Sequence, residues 1–175
     1  EALSDLANCG IYMFRAEIFD YFPEPGTSKA AGADDPDGFA DWAMDVFPAL
    51  LENDVPFYSH EIEAYWNDIG NLDELRQGNL DALYGAVEVE PGAPEVTEGV
   101  RAASPLDGVE VKAPVLIGDR VEIGTGVRIE GPAIIGDGCR VGDGVCIRDS
   151  ILLEGAELPP AAILVGAIAA RGTQN

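Results

Sequence analysis

The residues best suited to chemistry lie at positions 64–70, which read AYWNDIG. Asp68 follows an aromatic-rich predicted strand and precedes a glycine turn. A carboxylate at the end of a strand is well placed to bind a hard cation such as Mg²⁺, which takes few protein ligands and leaves the others to water and phosphate. An aspartate before a turn is also a common turn or cap residue. Both roles stay open for this segment taken alone.

Other reactive residue types are scarce. His60 is the only histidine, and a lone histidine in a predicted strand favours a structural role. The cysteines Cys9, Cys139 and Cys146 are odd in number and lack the spacing of a disulfide framework. Cys139 falls at an inward position of the repeat described below, which predicts a packing thiol. This cysteine usage favours a reducing, cytoplasmic setting.

The elements that must position Asp68 form a mixed α/β region. Residues 6–14 predict a buried strand, residues 16–22 a short helix, and residues 56–66 one or two further strands. A helix follows at residues 71–85, because Asn71 is a good N-cap, Glu74 lies three residues on as in a capping box, and Gly85 suits the end. Its apolar face comprises Leu72, Leu75, Leu80 and Leu83.

An amphipathic run with helical spacing lies between the two predicted strand regions. Its apolar members are Phe39, Trp42, Ala43, Val46, Phe47, Leu50 and Leu51. Pro48 interrupts this run, so either one helix is kinked there or a second helix begins with Pro48 in its first turn. The second interpretation is preferred, with Asp45 as the N-cap.

The second half of the chain repeats every six residues. From Val111 an aliphatic residue recurs at that spacing, and the series continues with Ile117, Ile123, Ile129, Ile135, Val141, Ile147 and Leu153. Two residues before each lies a mostly small apolar residue, in the series Val109, Val115, Val121, Val127, Ala133, Cys139, Val145 and Ile151. A helix would drift off this period, whereas a parallel β-helix of hexapeptide repeats has it.

In such a β-helix each hexad is a short strand and a corner, and three hexads close one triangular coil. Both apolar residues of a hexad point inward, because a strand alternates its faces. An antiparallel sandwich is the alternative, but its strand spacing is irregular. The register is expected to fail at Pro159 and Pro160, after which AAILVGAIAA completes or caps the last coil or, less simply, forms an oligomer interface.

Charge and composition exclude several functions. The net charge is −22, with 32 acidic against 10 basic residues, so binding to nucleic acid or to an anionic membrane is not expected. The apolar stretch at residues 161–170 is too short to span a bilayer. The predicted organisation is an α/β portion at 1–85, a linker at 86–108 and the β-helix with its C-terminal cap at 109–175. The opening of the chain suggests that it begins partway through a larger protein.

Three ordered motifs, NCGIYMF, DVFPALL and YWNDIGNLDELRQGN, precede the hexads. Together they resemble the C-terminal half of sugar-1-phosphate nucleotidyltransferases such as mannose-1-phosphate guanylyltransferases and glucose-1-phosphate thymidylyltransferases, whose motifs read roughly N-A-G-I-Y, D-x-F-P-x-L and Y-W-x-D-I-G-T. The resemblance implies a left-handed β-helix. It also implies that Asp68 binds the catalytic Mg²⁺ and that Asn8, Gly10 and Trp66 line or support the sugar pocket. Asn71 and Cys9 depart from the pattern, which has threonine and alanine there.

The resemblance implies a reaction in which a sugar-1-phosphate attacks the α-phosphorus of a nucleoside triphosphate, giving an NDP-sugar and pyrophosphate. The family's glycine-rich nucleotide loop, G-x-G-T-R-L-x-P-L-T, does not occur in these 175 residues. Nor are the other Mg²⁺-binding aspartate and the phosphate-contacting lysine and arginine present. No catalytic residue is therefore assigned here, and the chain alone is expected to be inactive.

Two alternatives remain open from the sequence. Many hexapeptide β-helices are acyltransferases with a histidine base, but His60 lies about fifty residues before the coils. A regulatory or scaffold subunit without catalysis is the other alternative. In all three cases the β-helix is expected to support assembly into a homo-oligomer.

Overall fold

A computed structural model describes residues 6–24, 27–28 and 40–172. Contacts divide the chain into two compact units, one reaching to Ala64 and the other beginning at Tyr65. No helix among the described residues is long and apolar enough to cross a membrane.

The first unit has a small core under three short helical segments. A 3₁₀ helix spans Ala16–Tyr21, a π-helical turn spans Trp42–Val46, and α1 spans Phe47–Glu52. Ile18, Val46 and Leu50 are buried together. Aromatic rings surround this core, and those of Phe14 and Trp42 stack with centroids 4.9 Å apart.

The predicted cap of this helical run is wrong. The N-cap position of α1 is Val46, which makes no side-chain cap bond. Asp41 caps the preceding π-helical turn, because its carboxylate accepts a hydrogen bond from the Met44 amide at 2.8 Å. Asp45 is buried instead and accepts bonds from the Ser28 hydroxyl at 2.7 Å and the Asp41 amide at 2.9 Å. Pro48 does lie in the first turn of α1, where its missing N–H costs nothing. Phe39 lies outside the described residues.

The strands predicted at residues 6–14 and 56–66 are absent from the described part of the chain. Their apolar side chains are largely exposed, with Met13 at 98% and Tyr58 at 90%. A strand is stable only when its backbone groups pair with a neighbour. Neither segment pairs with another strand in the described residues, so the apolar pattern alone did not produce a sheet.

The second unit begins with the predicted helix. Helix α2 spans Leu72–Leu83, and the Asn71 side chain accepts a hydrogen bond from the Glu74 amide at 2.9 Å, as expected of an N-cap. Gly85, with φ at +79°, follows the end of the helix. Leu80 is buried, and α2 packs against the strand at Arg128–Ile135.

Eleven short strands follow α2. They are β1 (Glu95–Thr97), β2 (Val100–Ala102), β3 (Glu110–Lys112), β4 (Val115–Ile117), β5 (Glu122–Ile123), β6 (Arg128–Ile135), β7 (Arg140–Val141), β8 (Cys146–Leu152), β9 (Glu157–Leu158), β10 (Ile163–Val165) and β11 (Ile168–Ala169). β1 and β2 pair antiparallel, and every other pairing is parallel. The result is a parallel β-solenoid of about four turns, which confirms the predicted β-helix.

The solenoid has three faces. One is formed by β3, the first half of β6, the first half of β8 and β10. The second face contains β2, β4, the later halves of β6 and β8, and β11. The third face is β5, β7 and β9. Since β1 and β2 lie within residues 86–108, part of the expected linker belongs to the sheet.

The predicted inward columns form the core of the solenoid. Ile117, Ile129, Ile135 and Ile147 are fully buried, and so is Cys139. Burial raises the pKa of the Cys139 thiol, because the thiolate would lose its hydration. Each fully buried aliphatic side chain contributes about 1.5–3 kcal/mol relative to exposure.

The register of the repeat changes at Asp149, about ten residues before the prolines where the change was predicted. Strands β4 and β6 are offset by 18 residues, as Val115 opposite Ala133 shows, whereas Ala133 lies opposite Ser150. Asp149 alone therefore spans the corner that Gly131 and Pro132 span in the previous coil. Leu152, not the predicted Leu153, occupies the inward column, and Ile151 points outward although it is only 1% exposed.

The shifted register then continues through the prolines. Arg140 pairs with Glu157 and Cys146 with Ile163, so Pro159 and Pro160 lie at a corner and do not end the repeat. β10 and β11 extend the solenoid by pairing with β8. The register failure expected at these prolines is therefore wrong. A corner can hold proline because its N–H is not needed in the ladder.

Candidate functional site

Asp68 lies at the edge of a surface pocket that precedes α2. The pocket has a volume of about 480 Å³. It is lined by Trp66, Asn67, Asp68, Gly70, Asn71 and Glu74. The side chains of Trp66 and Asp68 are exposed, so both are accessible to a ligand. The structure thus brings together two of the four predicted site residues, Trp66 and Asp68.

Hydrogen bonds from α2 hold the chain on the approach to this pocket. The Tyr65 hydroxyl donates to Asp81 Oδ2 at 2.7 Å, and Gln77 donates to Asp81 Oδ1 at 2.7 Å. The bond to Asp81 raises the pKa of Tyr65, because the phenol must keep its proton to donate. Asn67 in turn donates to the Tyr65 hydroxyl at 3.4 Å. Residues 65–67 are therefore tied to the side of the helix.

A glycine in the middle of α2 faces the same segment. A Cβ built on Gly78 would lie 3.6 Å from the Cδ1 atom of Ile69 and 3.9 Å from the Nδ2 atom of Asn67. Residues 67–69 therefore pack closely along the helix beside Gly78. Together with the capping bond of Asn71, this packing holds the segment that contains Asp68 in place beside α2.

The donor set of the pocket suits a hard cation that takes few ligands from protein. Two carboxylates, Asp68 and Glu74, line it. Mg²⁺ is commonly bound by one or two carboxylates, with water and phosphate completing its shell. Among residues 6–24, 27–28 and 40–172, no group of three or more His, Cys, Asp or Glu side chains could hold a metal ion alone. The two carboxylates would suit a metal ion whose remaining ligands come from water and phosphate.

Asn8 and Gly10 lie in the first unit and form a local turn. Asn8 Oδ1 accepts a hydrogen bond from the Gly10 amide at 2.9 Å, and its Nδ2 donates to the Tyr12 hydroxyl at 2.8 Å. Gly10 has φ at +72°, a conformation that favours glycine. The turn exposes Asn8 and Gly10. Their sugar-binding role, like that of Trp66, stays a prediction.

Three residues near the pocket were not predicted from the sequence to lie there. Asn67 and Glu74 line the pocket, and Asp81 holds Tyr65 against α2. Asn67 Oδ1 is buried and has no hydrogen-bond partner among the described residues. Buried acceptors of this kind usually have a partner, so this one marks a polar requirement near the pocket. The spacing of Gln77 and Asp81, four residues apart on one helix face, was the available signal for the Asp81 anchor.

Two family models match the chain. The nucleotidyl transferase model matches residues 1–84, and the bacterial transferase hexapeptide model (six repeats) matches residues 108–149. The first match includes the pocket before α2, and the second covers most of the solenoid.

One similar protein aligns with nearly the whole chain, and two others align with just under half of it. A UTP–glucose-1-phosphate uridylyltransferase from Synechocystis sp. is 33% identical over 94% of this chain and 41% of its own length. A glucose-1-phosphate adenylyltransferase from Bacillus cytotoxicus is 32% identical over 46% of this chain and 20% of its own length. One from Clostridioides difficile is 29% identical over 47% and 20%, respectively. The chain thus spans 41% or less of these relatives.

Proposed function

This chain belongs to the sugar-1-phosphate nucleotidyltransferases, and we propose that it is the C-terminal portion of an enzyme that makes an NDP-sugar. The observation that carries the proposal is the pocket containing Asp68 and Trp66, which lies within the region matched by the nucleotidyl transferase model. The 33% identity to a uridylyltransferase extends across 94% of the chain and so includes both the pocket and the solenoid.

In the proposed reaction an oxygen of the sugar-1-phosphate attacks the α-phosphorus of a nucleoside triphosphate. The new P–O bond forms as the bond to pyrophosphate breaks. Such transfers depend on positioning and on neutralising phosphate charge. The exposed carboxylate of Asp68 would hold Mg²⁺ beside the sugar phosphate, and Trp66, Asn8 and Gly10 would line or support the sugar pocket. Bound Mg²⁺ would offset the negative charge of the phosphates.

Other parts of the machinery are proposed to lie outside these 175 residues. The glycine-rich nucleotide loop of the family does not occur in the sequence, and a solution of this chain alone is expected to turn over no substrate. We propose a cytoplasmic location for the enzyme, because the three cysteines of this chain are free thiols. The solenoid, with its flat parallel faces, is proposed to mediate assembly into a homo-oligomer.

The acyltransferase alternative lacks a histidine base in the coils. The chain has one histidine, His60, and it belongs to the first unit and not to the solenoid. The regulatory-subunit alternative is decided by the activity of the complete protein: a complete protein with no turnover of any nucleoside triphosphate and sugar-1-phosphate pair would favour it.

The first test is Asp68→Asn in the complete enzyme. The variant should lose at least roughly 100-fold in kcat/KM, because a neutral amide binds a hard cation far less well than a carboxylate does. The measurement is Mg²⁺-dependent pyrophosphate release with a panel of nucleoside triphosphates and sugar-1-phosphates.

Asp73→Asn is the matched control. Asp73 is an exposed carboxylate five positions further along, in the first turn of α2, and it does not line the pocket. It should change kcat/KM little. Near-normal NDP-sugar formation by Asp68→Asn, or equal losses in both variants, would remove Asp68 from the site.

A further inference from the structure

Helix α2 is attached to the solenoid through a charged contact at one corner. Arg76 forms an ion pair with the carboxylate of Asp149. The same Arg76 nitrogen donates to the backbone carbonyl of Asp149 at 3.3 Å. This is the one ion pair between α2 and a solenoid strand among the residues that the structure describes.

Asp149 occupies the irregular corner of the solenoid. It replaces the two residues Gly131 and Pro132 of the previous coil, and it has φ at +50°. The next residue fixes the backbone there: the buried Ser150 hydroxyl donates to the Arg148 carbonyl at 2.7 Å and accepts from the Ala167 amide at 3.2 Å. Ser150 therefore holds the backbone at this corner through Arg148 and Ala167, and the carboxylate and carbonyl oxygens of Asp149 have a fixed position.

The other end of this contact is close in sequence to the pocket. Glu74, which lines the pocket, precedes Arg76 by two residues, and Asn71, which caps α2, lines the pocket as well. Leu80, one turn beyond Arg76, is buried, and α2 packs against β6. A shift of α2 along or about its axis would therefore move Asn71 and Glu74, and with them the segment that carries Asp68.

We infer that Asp149 is a positioning residue, which acts through Arg76 to hold α2 and so sets the position of the Asp68 pocket from the solenoid. The inference rests on the proposed function for its catalytic consequence. The contact is half-exposed, with 27% of the Arg76 side chain and 44% of the Asp149 side chain accessible. Exposed ion pairs stabilise folds little. Its effect is accordingly expected on the geometry of the pocket more than on global stability.

Asp149→Asn in the complete enzyme tests the inference. Asparagine tolerates positive φ as aspartate does, so the corner should remain folded. KM for the sugar-1-phosphate should rise roughly 3- to 30-fold, the range in which remote packing changes act on a site. KM for the nucleoside triphosphate and the midpoint of thermal unfolding should change little. An unchanged KM for the sugar-1-phosphate would overturn the inference.

Glu122→Gln is the matched control. It removes an exposed solenoid carboxylate that pairs with Arg140 at 3.4 Å on the third face, whereas α2 packs against β6 of the other two faces. This variant should leave both KM values unchanged. An equal rise in both variants would show a general effect of solenoid charge and would also overturn the inference.

Exchanging the two charges of the ion pair tests whether Arg76 and Asp149 act together or each side chain acts independently. In the double variant Arg76→Asp with Asp149→Arg the pair is restored with reversed polarity. Arginine is compatible with this backbone, because Arg120 already adopts φ at +54° at another corner. The double variant should recover KM for the sugar-1-phosphate relative to Arg76→Asp alone. Losses that simply add would count against coupling through this contact.

Hydrogen exchange distinguishes failure of the inference from failure of the proposed function. In the complete protein, amides of residues 67–75 should exchange faster in Asp149→Asn than in the unaltered protein or in Glu122→Gln, because the anchored end of α2 is released. Unchanged exchange would overturn the positioning role whatever the activity. Faster exchange in a complete protein that makes no NDP-sugar would uphold the positioning and reject the proposed function.

Discussion

At the scale of single residues, local chemistry explains what the sequence predicted well. Asn71 was recognised as a cap because an N-cap depends on one side chain and the amides that follow, and its bond to the Glu74 amide is present. Asp45 was misassigned because Asp41 is an equally good cap four residues earlier, and its carboxylate receives the Met44 amide. Two acidic residues near one helix start cannot be ranked by spacing alone.

Cys139 shows how the core of the solenoid alters one side chain. It is fully buried, its pKa is raised by burial, and its Sγ lies 3.2 Å from the Leu153 carbonyl oxygen. A thiol reagent should therefore modify Cys139 at least roughly 100-fold more slowly than Cys146, because modification requires local opening of the coil.

The rates are measurable by mass spectrometry of peptides after timed alkylation of the folded chain. Cys146 is half-buried on the first face of the solenoid and provides the internal reference. Raising the pH should speed modification of Cys139, since the reaction needs the thiolate and burial raises the pKa of this thiol. Equal rates for the two cysteines in the folded protein would contradict the buried placement of Cys139.

At the scale of elements, the glycines of the corners and of α2 have opposite roles. A Cβ on Gly124 would lie 2.6 Å from the backbone nitrogen of Asp143 in the next coil, too close for any side chain. A Cβ on Gly78 would meet nothing nearer than 3.6 Å. The first glycine permits coils to stack, whereas the second only leaves a helix position without a side chain.

Alanine at these two positions should therefore change stability in opposite directions. Gly124→Ala should lower the free energy of unfolding by about 1–3 kcal/mol, the usual cost of overpacking. Gly78→Ala should raise it by up to about 1 kcal/mol, because alanine has the higher helix propensity. Urea unfolding followed by circular dichroism gives both values. A destabilised Gly78→Ala would mean that residues 67–69 pack more tightly on α2 than these distances indicate.

The elements also show where sequence patterns lose their value. The six-residue period predicted the solenoid because each hexad meets the same partners in the next coil. Residues 6–14 and 56–66 have an apolar pattern typical of strands, yet within the described residues they have no strand to pair with. The one-residue deletion at Asp149 was hidden because Ile151 and Leu153 happen to continue the series after the register has changed.

At the scale of the whole molecule, stability of the second unit depends on columns that cross all coils. Ile135 is fully buried in such a column, whereas Ile163 on β10 is 74% exposed. Ile135→Asp should cost several kcal/mol, because it places an unpaired charge in an apolar interior. Ile163→Asp should stay within about 0.5 kcal/mol of the unaltered chain.

Thermal unfolding by circular dichroism and gel filtration compare these two variants. Loss of the cooperative transition and of assembly is expected for Ile135→Asp alone. A folded Ile135→Asp variant with unchanged elution volume would contradict the continuous core. Helix α2 illustrates the limit at this scale: its N-cap was predictable from the sequence, but its contact with a solenoid corner through Arg76 and Asp149 was not, because these residues are 73 positions apart.

The stacking of parallel strands has a further consequence for how order is lost. Each coil is secured only by the coils beside it, and β10 and β11 pair only with β8 among the described residues. On heating, the coil formed by β10 and β11 should therefore unfold before the central coils do. Ser150 bonds to both Arg148 and Ala167 and so lies at the boundary between the last coil and the one before it. Unfolding should stop at this boundary, so that the last coil opens and closes while the preceding coils stay folded.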